Sequence, residues 1–227
     1  MTAEVELHTF SIAARCSRTG SFGVAVATAR PAAGSIVPWV SEHGAIATQA
    51  RTNTELGRKG LSLIGHGVSV GVALPALLAC DPDRATRQVH GVDASGVFAY
   101  TGEACVPWCG HHTADGVSAA GNMLAGAGVL EAMLAAFVAS AESELAARLL
   151  AALAAGQAAG GDQRGKQSAA LVVAAIDPRP YHNLRVDDHP DPVAELLRLH
   201  DVMLPFVDVL RQDYGAEGVR RYRQVKR

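Results

Sequence analysis

The chain has 227 residues, of which 49% are hydrophobic and 19% are charged, and its formal net charge is −2 at pH 7. This length suits one large domain or two small ones, and the apolar fraction supplies enough material for a sizeable core. The sequence has no basic patch, no secretory leader and no run of roughly 18–20 apolar residues, so we expect a cytoplasmic protein without nucleic-acid or membrane partners.

In chain order, the predicted elements alternate between blocks of short apolar strands and pairs of helices. The predicted strands cover residues 8–14, 21–29, 44–50, 85–93, 96–101, 116–121, 169–176 and 183–187. The predicted helices cover residues 55–65, 69–80, 127–139, 142–155, 192–211 and, more weakly, 216–224. Thr54 and Ser69 are the expected N-caps of the first two helices, since short hydroxyl side chains satisfy the first free N–H groups of a helix.

The composition of the strands predicts the layer arrangement. The strands are apolar with little alternation, so both of their faces need cover. Two sheets packed face to face with helices outside each sheet meet that need. We therefore expect an α+β protein with a four-layer α/β/β/α sandwich. We expect residues 9–227 to form its single domain, with residues 1–8 as an N-terminal extension or possible pro-segment.

Several local strings carry more specific information than the periodicity does. They include TFSIAAR (9–15), ATQARTN (47–53), RQVHGVDASG (87–96), GNMLAG (121–126), GQAAGGDQRGKQSAALVV (156–173) and LRVDDHPDPVAELLRL (184–199). In these strings the chain resembles the bacterial and archaeal family called domain of unknown function 1028, over about residues 9–200. The resemblance implies the fold of the N-terminal nucleophile hydrolases, amide hydrolysis as the reaction class, no cofactor and a homo-oligomer.

Thr9 opens the first strand, and the resemblance makes it the candidate nucleophile. In this chemistry the hydroxyl attacks an amide carbonyl, while the α-amine of the same residue, with a pKa of about 7.7–8, takes the proton. An amine inside a peptide bond cannot act as this base, so the His8–Thr9 bond must be cleaved, which in the superfamily is often autocatalytic. The alternatives are that Thr9 is an ordinary strand residue, or that Ser11 on the same face is the nucleophile.

Polar residues near the ends of other strands are the remaining catalytic and binding candidates. Asn122 is a candidate oxyanion donor in catalysis. Arg51 is a candidate catalytic group that lowers the pKa of a nearby amine or holds a substrate carboxylate. Gln49 shares a strand face with Arg51 and is assigned to substrate binding. Asn53 is assigned to substrate binding as well, with N-capping as its alternative role.

The glycine-rich segment at 156–168 is the second predicted part of the binding site. Its polar residues precede a buried strand, and its glycines allow backbone N–H groups to point inward. The substrate-binding candidates in this segment are Asp162, Arg164, Gln167 and Ser168. The alternative is a solvated loop with ordinary turn chemistry.

Two strings raise the question of a metal site, although we predict none. CVPWCGHH (105–112) has two cysteines and two histidines, but four ligands this crowded do not easily close a tetrahedron. VDDHPDP (186–192) is interpreted as a turn from strand to helix, with Pro192 in the first helical turn. A divalent ion on Asp187, Asp188 and His189 is the alternative for this second string.

The sequence thus leaves two main functions open, and a structural or oligomerisation module, suggested by the alanine-rich helices at 127–155, is a third. The first is an amide-bond hydrolase that acts on a small amide or peptide through an N-terminal threonine. The second is a non-catalytic protein that binds a small molecule and keeps the sandwich without processing.

Overall fold

Two antiparallel sheets and five helices make up a mixed α+β architecture in the computed structural model, which describes residues 6–7, 9–174 and 182–214. The strands are β1 (Glu6–Leu7), β2 (Thr9–Arg15), β3 (Phe22–Thr28), β4 (Pro38–Ser41), β5 (Gly44–Arg51), β6 (Arg87–Asp93), β7 (Val97–Thr101), β8 (Gly110–Ala114), β9 (Val117–Gly121), β10 (Ser168–Ala174) and β11 (His182–Val186). The helices are α1 (Thr54–Gly65), α2 (Val70–Ala79), α3 (Gly128–Ala139), α4 (Leu145–Ala158) and α5 (Pro192–Tyr214). No helix in these ranges is both long enough and apolar enough to span a membrane.

The strand order puts β2 and β5 inside their sheets. The six-stranded sheet has the order β11-β10-β3-β2-β9-β8, so β2 pairs with β3 on one side and β9 on the other. In the five-stranded sheet, β5 pairs with β6 along one edge, while β4 and β1 share its other edge. Thr9, the first residue of β2, therefore has a neighbouring strand on either side.

Alternate residues of the central strands face different hydrophobic clusters. Phe10 of β2 packs in a cluster with Leu149 of α4, whereas Ala13 of β2 packs in a cluster with Ala47 of β5. On the opposite face of β5, Ile46 packs in a cluster with residues of α1 and α2. One apolar cluster thus lies between the two sheets, and the helices cover the outward faces, because the side chains of a strand alternate between its faces.

The caps of the first two helices differ in detail from the prediction. The N-cap of α1 is Asn53, not Thr54, and the Asn53 side chain accepts a hydrogen bond from the Glu55 N–H at 3.1 Å. Ser69 stands at the N-cap of α2 as predicted, but its side chain makes no capping bond. The Asp93 carboxylate accepts from the Val70 N–H at 2.6 Å instead, so a residue of β6 satisfies the helix end.

The sequence analysis predicted no strand at two of the described strands. Both β4, which starts at Pro38, and β8, with the sequence GHHTA, are partly exposed along their length. Among the described strands each pairs with one neighbour, and proline and polar residues are tolerated there because no second ladder needs their N–H groups or apolar faces. The predicted helix at 216–224 and the last two residues of the predicted strand at 169–176 lie outside the described residues.

Contact between Gly57 of α1 and the Trp39 ring gives a stability prediction. A methyl group at Gly57 would overlap the indole ring, whereas one at Gly71 of α2 meets no atom within 4 Å. We expect Gly57→Ala to lower the free energy of unfolding by about 1–3 kcal/mol through overpacking. The matched Gly71→Ala should raise it by up to about 1 kcal/mol through helix propensity. Urea unfolding of both variants checks this, and equal shifts would contradict the packing argument.

Candidate functional site

Thr9 lies fully buried at the start of β2, at the junction of the two sheets. Its carbonyl accepts a hydrogen bond from the Asn122 backbone N–H at 3.0 Å and lies 3.5 Å from Gln49 Nε2 of the other sheet. Among the described residues, no group forms a hydrogen bond with the Thr9 hydroxyl. Burying a hydroxyl without a partner costs about 1–3 kcal/mol, so packing alone does not account for a threonine at this position.

The chain reaches Thr9 from the opposite sheet. Glu6 and Leu7 form β1, which pairs antiparallel with the end of β5, with Glu6 opposite Arg51 and Leu7 opposite Ala50. Two positions after Leu7, Thr9 pairs with β3 and belongs to the six-stranded sheet. The chain thus belongs to one sheet at Leu7 and to the other sheet at Thr9.

Three buried amide side chains form a hydrogen-bonded cluster beside the Thr9 carbonyl. Gln49 Nε2 donates to Gln88 Oε1 at 2.8 Å, and Asn122 Nδ2 donates to the same oxygen at 2.9 Å. Gln88 Nε2 in turn donates to Thr101 Oγ1 and to the Gly121 carbonyl, each at 2.9 Å. Since the Gln88 oxygen accepts twice and its nitrogen donates onwards, the orientation of each amide in the cluster is fixed.

A serine–histidine–serine chain continues this cluster between the sheets. The Ser11 hydroxyl donates to Gln49 Oε1 at 2.6 Å, so its oxygen accepts from His90 Nε2 at 2.8 Å. The other ring nitrogen, Nδ1, then accepts from the Ser118 hydroxyl at 2.8 Å. Burial, with a smaller contribution from nearby His111, lowers the pKa of His90 to about 3, and the ring is therefore neutral near pH 7.

This arrangement gives Ser11 a role different from that of a nucleophile. Its proton points to Gln49 rather than to His90, so the histidine does not act as its base in this geometry.

The sequence analysis missed Gln88, His90 and Ser118. The available signal was that each is a polar residue inside a predicted strand, with Gln88 and His90 two residues apart on one face.

Strained backbone conformations flank the residues that approach the Thr9 carbonyl. Ala50, directly after Gln49, has a φ of 64°, and Met123, directly after Asn122, has a φ of 50°. A left-handed conformation costs a residue with a side chain roughly 1–2 kcal/mol. Such outliers concentrate at functional sites, where the surrounding structure holds them in place. Their positions support the interpretation of this junction as the functional centre.

An ion pair closes the glycine-rich segment over the ends of the same strands. Asp162 is buried, and its carboxylate accepts from the Ala29 N–H at 3.1 Å and from Arg164 Nη2 at 2.7 Å. Ala29 follows Thr28, the cross-strand partner of Thr9. Asp162 also forms a β-bridge with Leu124, two residues beyond Asn122. The structure thus brings Asp162 and Arg164 to the strand ends around Thr9.

The other two candidates in this segment make contacts that hold loops. Ser168 is fully buried, and its hydroxyl donates to the Arg30 carbonyl at 2.6 Å and accepts from the Ala33 N–H at 3.1 Å. Gln167 donates from its side chain to Asp188 at 3.2 Å. These bonds tie the segment before β10 to the loop after β3 and to the turn before α5.

Asn53 and Arg51 lie at the other side of the site, where β5 ends. In addition to capping α1, Asn53 donates to Asp81 at 2.8 Å, and Asp81 accepts from Arg87 Nε at 3.0 Å, so this amide has a structural role. Arg51 is exposed and borders β1, and its carbonyl accepts from Arg87 Nη1 at 2.8 Å.

The suspected metal ligands have other partners in the part of the chain that the structure describes. Asp187 pairs with Arg185 at 2.9 Å, and His189 Nδ1 accepts from the Asp191 N–H at 3.0 Å. Burial, and to a lesser extent Cys109, raises the pKa of Cys105 to about 11, which keeps that thiol protonated. No three His, Cys, Asp or Glu side chains of the described residues cluster as metal ligands would.

The two buried threonines Thr9 and Thr48 provide a matched test of the unpartnered hydroxyl. Thr48 donates to the Asn53 carbonyl at 3.1 Å, whereas Thr9 has no such bond among the described residues. We expect Thr9→Val to raise the free energy of unfolding by about 1 kcal/mol, because it removes an unsatisfied buried group. Thr48→Val should lower it by about 1 kcal/mol through the lost hydrogen bond. Chemical denaturation measures the stability of both variants. Destabilisation by Thr9→Val would refute the conclusion that the Thr9 hydroxyl is unsatisfied.

The lowered pKa of His90 predicts how stability depends on pH. Between pH 6.5 and about 3, the unfolded chain binds a proton at this residue and the folded chain does not. Stability must therefore fall as the pH falls through this window, with His90 contributing about 1.4 kcal/mol per pH unit. His90→Gln should show a shallower slope in denaturation at several pH values, whereas Ser118→Ala, which keeps the histidine, should retain the steep slope. Equal slopes in all three proteins would contradict a neutral buried His90.

Comparison with known proteins finds a family model and a solved structure that match this chain. The model of a family of unknown function, DUF1028, matches residues 9–196, a range that starts at Thr9 and contains every site residue considered above. A crystal structure of protein SPO2555 from Silicibacter pomeroyi, which bears the same family description, matches with 36% sequence identity and a TM-score of 0.79, covering 86% of this chain and 89% of that chain. Among curated proteins, none matches. The chain belongs to the DUF1028 family.

Proposed function

We propose that the protein is an amide-bond hydrolase of the N-terminal nucleophile type, acting on a small amide or peptide through Thr9. The observation that carries the proposal is the buried Thr9 hydroxyl, which has no hydrogen-bond partner among the described residues and opens β2 at the junction of the sheets. In this proposal the two sheets and their covering helices are the four-layer α/β/β/α sandwich of that superfamily. The cluster between the sheets and the helix-packed clusters outside them support this assignment.

The proposed reaction has two steps at Thr9. The hydroxyl oxygen attacks the substrate carbonyl, its proton passes to the α-amine of Thr9, and the leaving amine departs with that proton. Water then attacks the resulting ester, releases the acid and restores the hydroxyl. While a residue precedes Thr9, its nitrogen is an amide and cannot take the proton, so the active form requires cleavage of the bond between residues 8 and 9.

Asn122 is the proposed donor to the oxyanion. Its backbone N–H holds the Thr9 carbonyl at 3.0 Å, and Gln88 orients its side-chain amide from 2.9 Å. Both contacts keep the amide beside the nucleophile before the reaction begins, which is what electrostatic stabilisation of an oxyanion requires. Arg51, at the exposed end of β5, is proposed to hold the pKa of the Thr9 amine down through its positive charge.

The neighbours of Thr28 supply the proposed substrate contacts. Asp162 and Arg164 lie at the strand ends beside Thr28, the cross-strand partner of Thr9. Their ion pair is partly exposed on the arginine side, where Arg164 retains 24% of its side-chain surface. A guanidinium held in this way can orient a polar group of the substrate by directed hydrogen bonds.

A non-catalytic binding protein is the second candidate, because β1 occupies the edge of β5 beside Thr9. A protein in which that segment stays in place has no free amine at Thr9. It would keep the polar junction as a binding site only.

Activity of variants separates these functions. In protein that starts at Thr9, we expect Thr9→Ala to lower kcat/KM for a chromogenic peptidyl amide by at least about a thousandfold, as nucleophile removal does elsewhere. Thr9→Ser should retain measurable activity, and Asn122→Ala should lower kcat by about 10²–10³-fold. The control Asn53→Ala should cost about 1 kcal/mol of stability as a lost N-cap while leaving kcat unchanged.

Mass spectrometry decides between the two functions. An active preparation should show a terminus at Thr9. Activity that survives Thr9→Ala would exclude Thr9 as the nucleophile, and ligand binding by an uncleaved chain that never hydrolyses an amide would exclude the hydrolase.

A further inference from the structure

Strand β1 pairs with a particular part of the β5 edge. The neighbouring strand β4 pairs with this edge from Gly44 to Ala47, and the pairing ends at Pro38, which lies opposite Ala47. Beyond that point, β1 pairs with Ala50 and Arg51. The remaining edge beside the junction is thus taken by residues from directly in front of Thr9.

The direction of β1 matters as much as its position. β1 runs antiparallel to β5, and the chain continues from Leu7 through one further residue to Thr9. The carboxyl end of the docked segment therefore leads to the nucleophile. An acyl group presented to Thr9 by a separate peptide would follow the same path, since its carbonyl must reach the same hydroxyl.

An edge from which β1 has departed would leave the backbone of Ala50 and Arg51 without its paired strand. Backbone groups of this kind bind an added extended strand, because the ladder bonds form regardless of the side chains of that strand. Ala50 is buried and lies opposite Leu7, and the exposed Arg51 lies opposite Glu6. The pairing register thus places a small buried residue of β5 beside one position of the added strand and a positive charge beside the adjacent position.

We propose that the site takes an extended peptide as its substrate, added as an antiparallel strand to β5 at Ala50 and Arg51, and that residues 6–7 are the first occupant of this strand site. The inference rests on the proposed function of Thr9. Thr9 attacks the carbonyl of the peptide residue that lies two positions after the residue opposite Arg51. The amine on the far side of that carbonyl leaves with the proton of the Thr9 hydroxyl. Arg51 favours an acidic residue in the opposite position, as Glu6 is in the chain itself.

The test uses the full chain with Thr9→Ala, so that binding is measured without chemistry. The probe is the synthetic peptide MTAEVELH, labelled at its amino end, in a fluorescence anisotropy titration. A second protein carries Glu6→Pro and Leu7→Pro as well, which removes the backbone donors of β1 and releases the edge. We expect this protein to bind the probe at least about tenfold more tightly than the parent, in which the tethered segment competes at high effective concentration.

Two controls test the mode of binding. A probe with proline at its sixth and seventh positions should lose at least about tenfold in affinity if the peptide pairs as a strand. Arg51→Glu in the released protein should weaken binding of the original probe about threefold or more, whereas Arg198→Glu on the surface of α5 should leave it unchanged. Equal binding by parent and released proteins, or equal binding of the proline probe, would overturn strand addition.

The outcomes also separate this inference from the hydrolase proposal. Protein that starts at Thr9 is assayed on the probe sequence extended by a chromogenic amide and on a simple acyl anilide. Strand binding without hydrolysis of either compound would refute the hydrolase and leave a peptide-binding site. Hydrolysis of the simple anilide without strand binding would retain the hydrolase and overturn the extended peptide as substrate.

Discussion

The hydrogen-bonded chain of buried polar side chains between the sheets is the constraint on which the arrangement at Thr9 depends. Ser118, His90, Ser11, Gln49 and Gln88 each give or receive a bond from the next, and Gln88 joins Asn122 at the end. In a low-dielectric interior, a group left without its partner costs roughly 1–3 kcal/mol. The sheets therefore pack in one register, and that register sets where Gln49 lies relative to Thr9.

The junction itself runs against stability. Thr9 carries a hydroxyl that no described residue satisfies, and the left-handed Ala50 and Met123 follow the two residues nearest its carbonyl. Natural proteins keep such features where activity requires them and compensate for them elsewhere. The compensation here is the apolar packing on both faces of β2, in which Phe10 and Ala13 belong to different clusters.

The sequence predicted the central strands and the helices well, because their apolar runs and caps are local signals. It failed at the edge strands β4 and β8, since a strand with one neighbour needs no apolar face. The sequence singled out Thr9, Asn122 and Gln49, which lie together in the structure, but not His90, whose bond to Ser11 joins residues 79 positions apart. No local pattern encodes such a pairing. For the same reason, only the structure separates the roles of Ser168 and Asn53. The Ser168 hydroxyl holds a loop, and the Asn53 amide caps a helix.

The position of β2 within its sheet has a further consequence for a chain end at Thr9. Chain termini are ordinarily the most mobile parts of a domain. Here the ladders to β3 and β9 begin at Thr9 and Phe10, and the Asn122 N–H holds the Thr9 carbonyl. A terminal residue held in this way has already lost its conformational entropy when the domain folds. Its hydroxyl and amine would meet a ligand as rigid groups, and binding would not have to order them.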